Sequence, residues 1–148
     1  MPYKIAFSNQ QKTHAVSKRD IVAAVRAVLK GENVTAAELS LAVVDDATIH
    51  AVNRRHLKHD YPTDVISFLL SEAKDPMEGE VIVSADFAAS TAERLKWPLA
   101  HELLLYFIHG TLHLCGYDDL KPSLKRAMRA RERHYLSQLG IEARYDGE

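Results

Sequence analysis

The chain reads as one α+β domain over residues 1–148: a mixed sheet of about four strands packed with about five helices, one of them central and buried. Three observations predict this. Strand-like and helix-like stretches follow one another as strand, helix, strand, helix, strand, strand, helix, helix, helix. The stretch from Leu99 to about Cys115 is apolar almost all round, as befits a helix at the centre of a domain. A length of 148 residues suits a single domain with a single core.

Taken in order, Tyr3 to Ser8 alternates as a short strand with Tyr3, Ile5 and Phe7 on one face. Ser17-Lys18-Arg19-Asp20 opens a helix as a capping box. Ile21, Val25 and Val28 keep its helical spacing, and Gly31 is its expected stop. Leu39 to Val44 is a second strand with Leu39, Leu41 and Val43 on one side. Asp45 or Asp46 caps a helix running to about Leu57. Val65 to Leu70 is a nearly continuous apolar run, the pattern of a strand buried on both faces. An acidic, turn-rich link joins it to Glu80–Ser84, and that link is short enough for antiparallel pairing. Asp86 is placed to cap the helix Phe87 to Lys96, which Trp97-Pro98 ends. Pro98 suits the first turn of the apolar helix. A last helix from about Pro122 to Leu139 is stopped by Gly140. It turns Leu124, Met128, Tyr135 and Leu139 inward and leaves a row of Lys and Arg outside; the segment after Tyr145 is expected to fray.

Composition narrows the function classes. Hydrophobic and charged contents of 47% and 26% are those of a soluble globular protein. A net charge of −1 gives no global field towards nucleic acid or membrane. One cysteine leaves no internal disulfide and fits a reducing compartment. The N-terminus has no long apolar signal-like core, and no apolar run approaches the roughly 20 residues that span a bilayer.

The chemistry is expected in His109-Gly110-Thr111-Leu112-His113-Leu114-Cys115-Gly116-Tyr117-Asp118-Asp119. Histidines four apart on a helix are offset by about 40° and about 6 Å, so both imidazoles project from one face and can share an ion. Gly116 permits a tight turn that brings Asp119 back to the same point. The pattern is the zincin helix-and-turn layout, with Asp in place of a third His and Gly110 where a peptidase carries its glutamate. The bland account is two core histidines in a chain that holds eight. Cys115 faces away from the pair and reads as core. The basic stretch Arg54-Arg55-His56-Leu57-Lys58 reads either as a solvated helix end or as a phosphate-contacting rim built on Arg54, Arg55 and Lys58.

Several of these stretches together resemble the YbeY family, bacterial metal-dependent endoribonucleases of ribosomal RNA maturation. The stretch from His109 to Asp118 resembles the family signature, and Pro62-Thr63-Asp64-Val65-Ile66-Ser67-Phe68 resembles its second motif. Asn53 and Gly79-Glu80-Val81-Ile82-Val83-Ser84 fit in order and position. The resemblance spans about Leu39 to Asp119 and implies one Zn²⁺ per chain, or another divalent metal, on three ligands that map to His109, His113 and Asp119. Two departures stand out. The usual third ligand is His, and Asp119 replaces it, with Asp118 as the alternative if the turn is set differently. A family arginine between Asn53 and Asp60 aligns with Leu57, leaving Arg54, Arg55 or Lys58 as substitutes. The resemblance also implies a cytoplasmic place, single-stranded ribosomal RNA as substrate, and the ribosome or its proteins as partners.

The leading expectation is therefore single-strand-specific cleavage of RNA phosphodiesters in ribosomal RNA maturation and ribosome quality control. Three protein ligands would leave zinc an open position, either to acidify water or to polarise a phosphate oxygen. Asp64 is a weak candidate for the general base. The alternatives are a zinc metallopeptidase, which Gly110 disfavours, and a ribosome assembly factor whose metal is structural.

Overall fold

Alternation of apolar and polar residues sets the sheet. The computed structural model describes residues 2–57, 64–71 and 76–145. Its strands are β1 (Tyr3–Asn9), β2 (Ala37–Val44), β3 (Val65–Leu69) and β4 (Met77–Ser84). They lie in the order β1-β2-β4-β3, with β1, β2 and β4 parallel and β3 antiparallel to β4. The helices are α1 (Lys18–Gly31), α2 (Asp46–Val52), α3 (Ala85–Leu95), α4 (Leu99–Leu114) and α5 (Pro122–Gln138). This is the expected mixed α+β architecture. No helix among the described residues is long and apolar enough to cross a membrane.

The two faces of the sheet have different covers. Leu39, Leu41, Val43, Val81 and Val83 pack into the main core with α1, α3, α4 and α5. Val44 and Ile66 form a smaller core with Ile49 of α2, edged by Ala42, Phe68 and Ile82. Helix α4 is the hub. Phe107, Ile108 and Leu112 are fully enclosed, so its all-round apolar sequence has the central position it predicts.

Several local expectations change. The apolar run Val65–Leu70 is an edge strand, because β4 inserts between β2 and β3. Ile66 is buried, but Leu69 and Leu70 are 55% and 62% exposed. The helix begun by Asp45, whose carboxylate accepts from Thr48 N at 2.7 Å, is α-helical only to Val52. It continues as a π-helical turn, Asn53–Leu57. Ser84 caps α3, accepting from Phe87 N at 3.1 Å. Asp86 instead takes the Asp46 N–H at 2.9 Å and thereby supports the start of α2. Helix α1 does stop at Gly31, but the left-handed residue that follows is Asn33, at φ 62°. On α5, Met128, Glu132, Tyr135 and Leu136 are the buried residues, while Leu124 and Leu139 are exposed. The segment after Tyr145 lies outside the described residues.

Candidate active site

Helix α4 sets His109 and His113 one turn apart on one face. Each ring is tied back by Nδ1. His109 Nδ1 lies 2.7 Å from Oε2 of Glu132 on α5, and His113 Nδ1 lies 3.0 Å from the Tyr117 carbonyl. An acceptor oxygen on each Nδ1 makes that nitrogen the protonated one and leaves Nε2 with its lone pair. Glu132 is 3% exposed. Its other oxygen accepts from the Tyr145 hydroxyl at 2.8 Å. The Arg129 and Arg133 guanidinium groups lie over the Tyr145 ring, at 3.8 and 4.9 Å from its centre.

The turn after α4 returns the chain to this face. Gly116 takes φ 107°, which a Cβ would resist. The Tyr117 N–H closes back on the Leu112 carbonyl at 3.1 Å. Asp119 then places Oδ2 3.9 Å from His109 Nε2. Asp118 shapes the turn instead, its Oδ1 accepting from the N–H groups of Asp119 and Leu120 at 2.6 and 3.0 Å. Cys115 is half-buried against the core, and burial with the nearby Glu32 charge pushes its thiol up to about 12. It is an inert thiol.

Electrostatics favour positive charge at this point. Burial opposes the charged form of His109. The Glu132 hydrogen bond, with the negative charges of Glu132, Asp64 and Asp119, outweighs burial and raises its pKa. Among the described residues, no three His, Cys, Asp or Glu side chains close on a single point. The donor chemistry nonetheless fits a cation: two imidazoles whose Nδ1 atoms each meet an acceptor, the outer hydrogen bond that orients metal-binding histidines, and a carboxylate beside one of them. His109, His113 and Asp119 are the residues that could hold it. The 3.9 Å between His109 and Asp119 compares with about 3.3 Å between neighbouring donors on a tetrahedral ion with bonds of about 2.0–2.1 Å.

The site opens into a cavity of about 610 Å³. It brings together four residues singled out from the sequence: His109, His113, Asp119 and Asp64. Asp64 Oδ1 accepts from Val65 N at 2.8 Å, at the start of the edge strand. Arg54 and Arg55 are exposed on the π-helical turn and do not line the cavity, and Lys58 lies outside the described residues. Among the described residues, the cations that line it are Arg94 of α3, Lys125 and Arg129 of α5, and Arg144 of the C-terminal segment. Sequence reasoning missed these, and it missed Glu132. Glu132 had a signal: it falls four residues after Met128 and four before Leu136, on the apolar stripe of α5, where a carboxylate needs a partner.

Gly110 settles what the residue after the first histidine can be. A Cβ there would lie 2.6 Å from Val81 Cγ1 and 2.9 Å from Ser67 Oγ. Position 110 faces the sheet, so the glutamate of a zinc peptidase has no room at it.

An α+β domain whose central helix carries two oriented imidazoles, with carboxylates and cations around one open cavity, has the groups that hydrolytic chemistry uses. Comparison with known proteins agrees. A family model described as Endoribonuclease YbeY matches residues 6–140. A relative from Rhodopirellula baltica, named Endoribonuclease YbeY, is 40% identical over 128 residues, 85% of this chain and 66% of its own length. Another of that name, from Syntrophotalea carbinolica, is 36% identical over 145 residues, 93% of this chain and 97% of its own. A solution structure from Thermotoga maritima matches 97% of the chain, and 99% of its own, at a TM-score of 0.64; at 21% identity it speaks for the fold alone. The chain belongs to the YbeY family, as the two motifs indicate.

Proposed function

We propose that the protein is a single-strand-specific, metal-dependent endoribonuclease acting in ribosomal RNA maturation and ribosome quality control in the cytoplasm. The observation that carries this reading is the pair of imidazoles tied back at Nδ1, with Nε2 available beside Asp119 in one cavity. In this reading His109, His113 and Asp119 hold a divalent cation, most simply Zn²⁺. Bound there, the cation would supply Lewis-acid polarisation of a phosphodiester and offset developing negative charge. Glu132 and the Tyr117 carbonyl keep both rings in the tautomer that presents Nε2. Asp64, in the same cavity, is the candidate to accept the attacking hydroxyl's proton. Arg94, Lys125, Arg129 and Arg144 offer charge to the phosphates within the cavity. Arg54 and Arg55, which do not line it, are assigned to flanking RNA, and so, from the sequence alone, is Lys58. The ribosome or its proteins would bring the substrate.

Cleavage of a labelled single-stranded ribosomal RNA fragment by metal-analysed protein tests the proposal, run beside His109→Ala and a chelator-treated sample. Cleavage lost in both controls is the expected result. A folded, fully metallated wild type that leaves the RNA intact would overturn it and favour an assembly factor with a structural metal.

A further inference from the structure

We infer that Glu32, a carboxylate at the end of α1 and outside the cavity, is the positioning residue that holds both histidines of the site in register. Its two oxygens divide the work. Oε1 accepts from the Tyr117 hydroxyl at 2.8 Å. Oε2 accepts from Arg131 Nε and Nη2, at 3.0 and 2.6 Å, and from the Tyr135 hydroxyl at 2.5 Å. The first set fixes Tyr117, whose backbone carbonyl takes His113 Nδ1. The second fixes α5 at Arg131, one residue before the Glu132 that takes His109 Nδ1. One side chain thus anchors both outer partners, one through the turn after α4 and one through α5.

The neighbouring sequence is built for this junction. Gly31 ends α1, and a Cβ on it would lie 2.1 Å from the Tyr135 hydroxyl oxygen, so glycine is what lets Tyr135 reach Glu32. Arg131 Nη2 also donates to the Tyr135 hydroxyl at 2.9 Å, closing a ring of hydrogen bonds around the carboxylate. The Glu32 side chain is 11% exposed, so these are partly buried, charge-assisted bonds rather than surface pairs. A group needed only to end α1 would not require two tyrosines and an arginine from two other parts of the chain.

The test reads the rings directly. Long-range ¹⁵N spectra of the metal-free protein at about pH 8 report which nitrogen of each imidazole carries the proton. Wild type should show His109 and His113 fixed with Nδ1 protonated. Glu32→Ala should average the signals of both His109 and His113 between tautomers. Tyr117→Phe, which keeps the carbonyl and loses only the hydroxyl, should do the same to His113 and leave His109 alone. If Glu32→Ala fails to fold, Tyr117→Phe and Glu32→Gln carry the test. The functional consequence rests on the metal reading above: zinc affinity, from competition with a chromophoric chelator, should fall about tenfold or more in the same variants. Unchanged ring signals in folded Glu32→Ala or Tyr117→Phe overturn the inference. Loosened rings in a protein that binds no zinc even as wild type would support the positioning role and overturn the metal reading instead.

Discussion

Replacing Gly110 with alanine sets two effects against each other, and the structure decides between them. In an exposed helix the change stabilises by about 0.8–1.0 kcal/mol. Gly110, however, faces the sheet, where the new Cβ meets Val81 Cγ1 at 2.6 Å, Ser67 Oγ at 2.9 Å and Val65 Cγ2 at 3.2 Å. Val81 is completely buried and β-branched, so it cannot swing aside. Ser67 can rotate, but only by giving up its 3.1 Å hydrogen bond to the Gly110 carbonyl, a loss of about 0.5–1.5 kcal/mol. Overpacking a filled core costs about 1–3 kcal/mol more. The balance is a net destabilisation of about 0.5–3.5 kcal/mol. At about 2–4 °C per kcal/mol for a domain of this size, a central value of about 2 kcal/mol lowers Tm by about 4–8 °C. A urea titration checks this through a lower midpoint at unchanged slope. A variant as stable as wild type, or more so, would refute this packing of α4 on β3 and β4.

Three further outcomes follow from the site and its supports. Glu132→Ala should weaken zinc binding by about 10- to 100-fold, by chelator competition, because it strips His109 of its outer acceptor; Glu132→Gln, which can still accept from His109, should lose less, and equal losses would point to charge alone. Asp119→Ala should lower zinc affinity and Asp119→His should restore it, whereas full affinity in Asp119→Ala would remove Asp119 from the site. Glu32 sets an acid limit on stability. Burial raises its pKa, but hydrogen bonds from Tyr135, Arg131 and Tyr117 and the Arg131 charge outweigh burial, holding it below its ordinary 4.5. A lowered carboxylate contributes stability that is full above the ordinary value and lost as pH falls through the folded one. Urea midpoints from pH 6 to pH 3 should therefore drop more steeply for wild type than for Glu32→Gln, and parallel curves would count against the network.

What could be read from the sequence divides by range. The histidine pair, the Gly116 turn and the return of Asp119 are legible because helical spacing and a left-handed glycine act over a few residues. The central place of α4 is legible because its sequence is apolar almost all round. The edge position of β3 is not: its apolar composition reads as burial on both faces, and only the insertion of β4 beside β2 puts Leu69 and Leu70 at the rim. The supports are hidden for the same reason. Glu132 meets His109 across 23 residues, and Glu32 meets Tyr117 across 85. The cavity's cations converge from α3, α5 and the C-terminal segment, whereas the basic cluster that stands out in the sequence, Arg54 and Arg55, lies outside it. Local motifs state which groups can do chemistry, and long-range contacts decide how those groups are aimed. In this chain the aiming depends on two carboxylates that belong to neither motif, Glu32 at the end of α1 and Glu132 within α5. A change at either should disturb the site while leaving every signature residue in place.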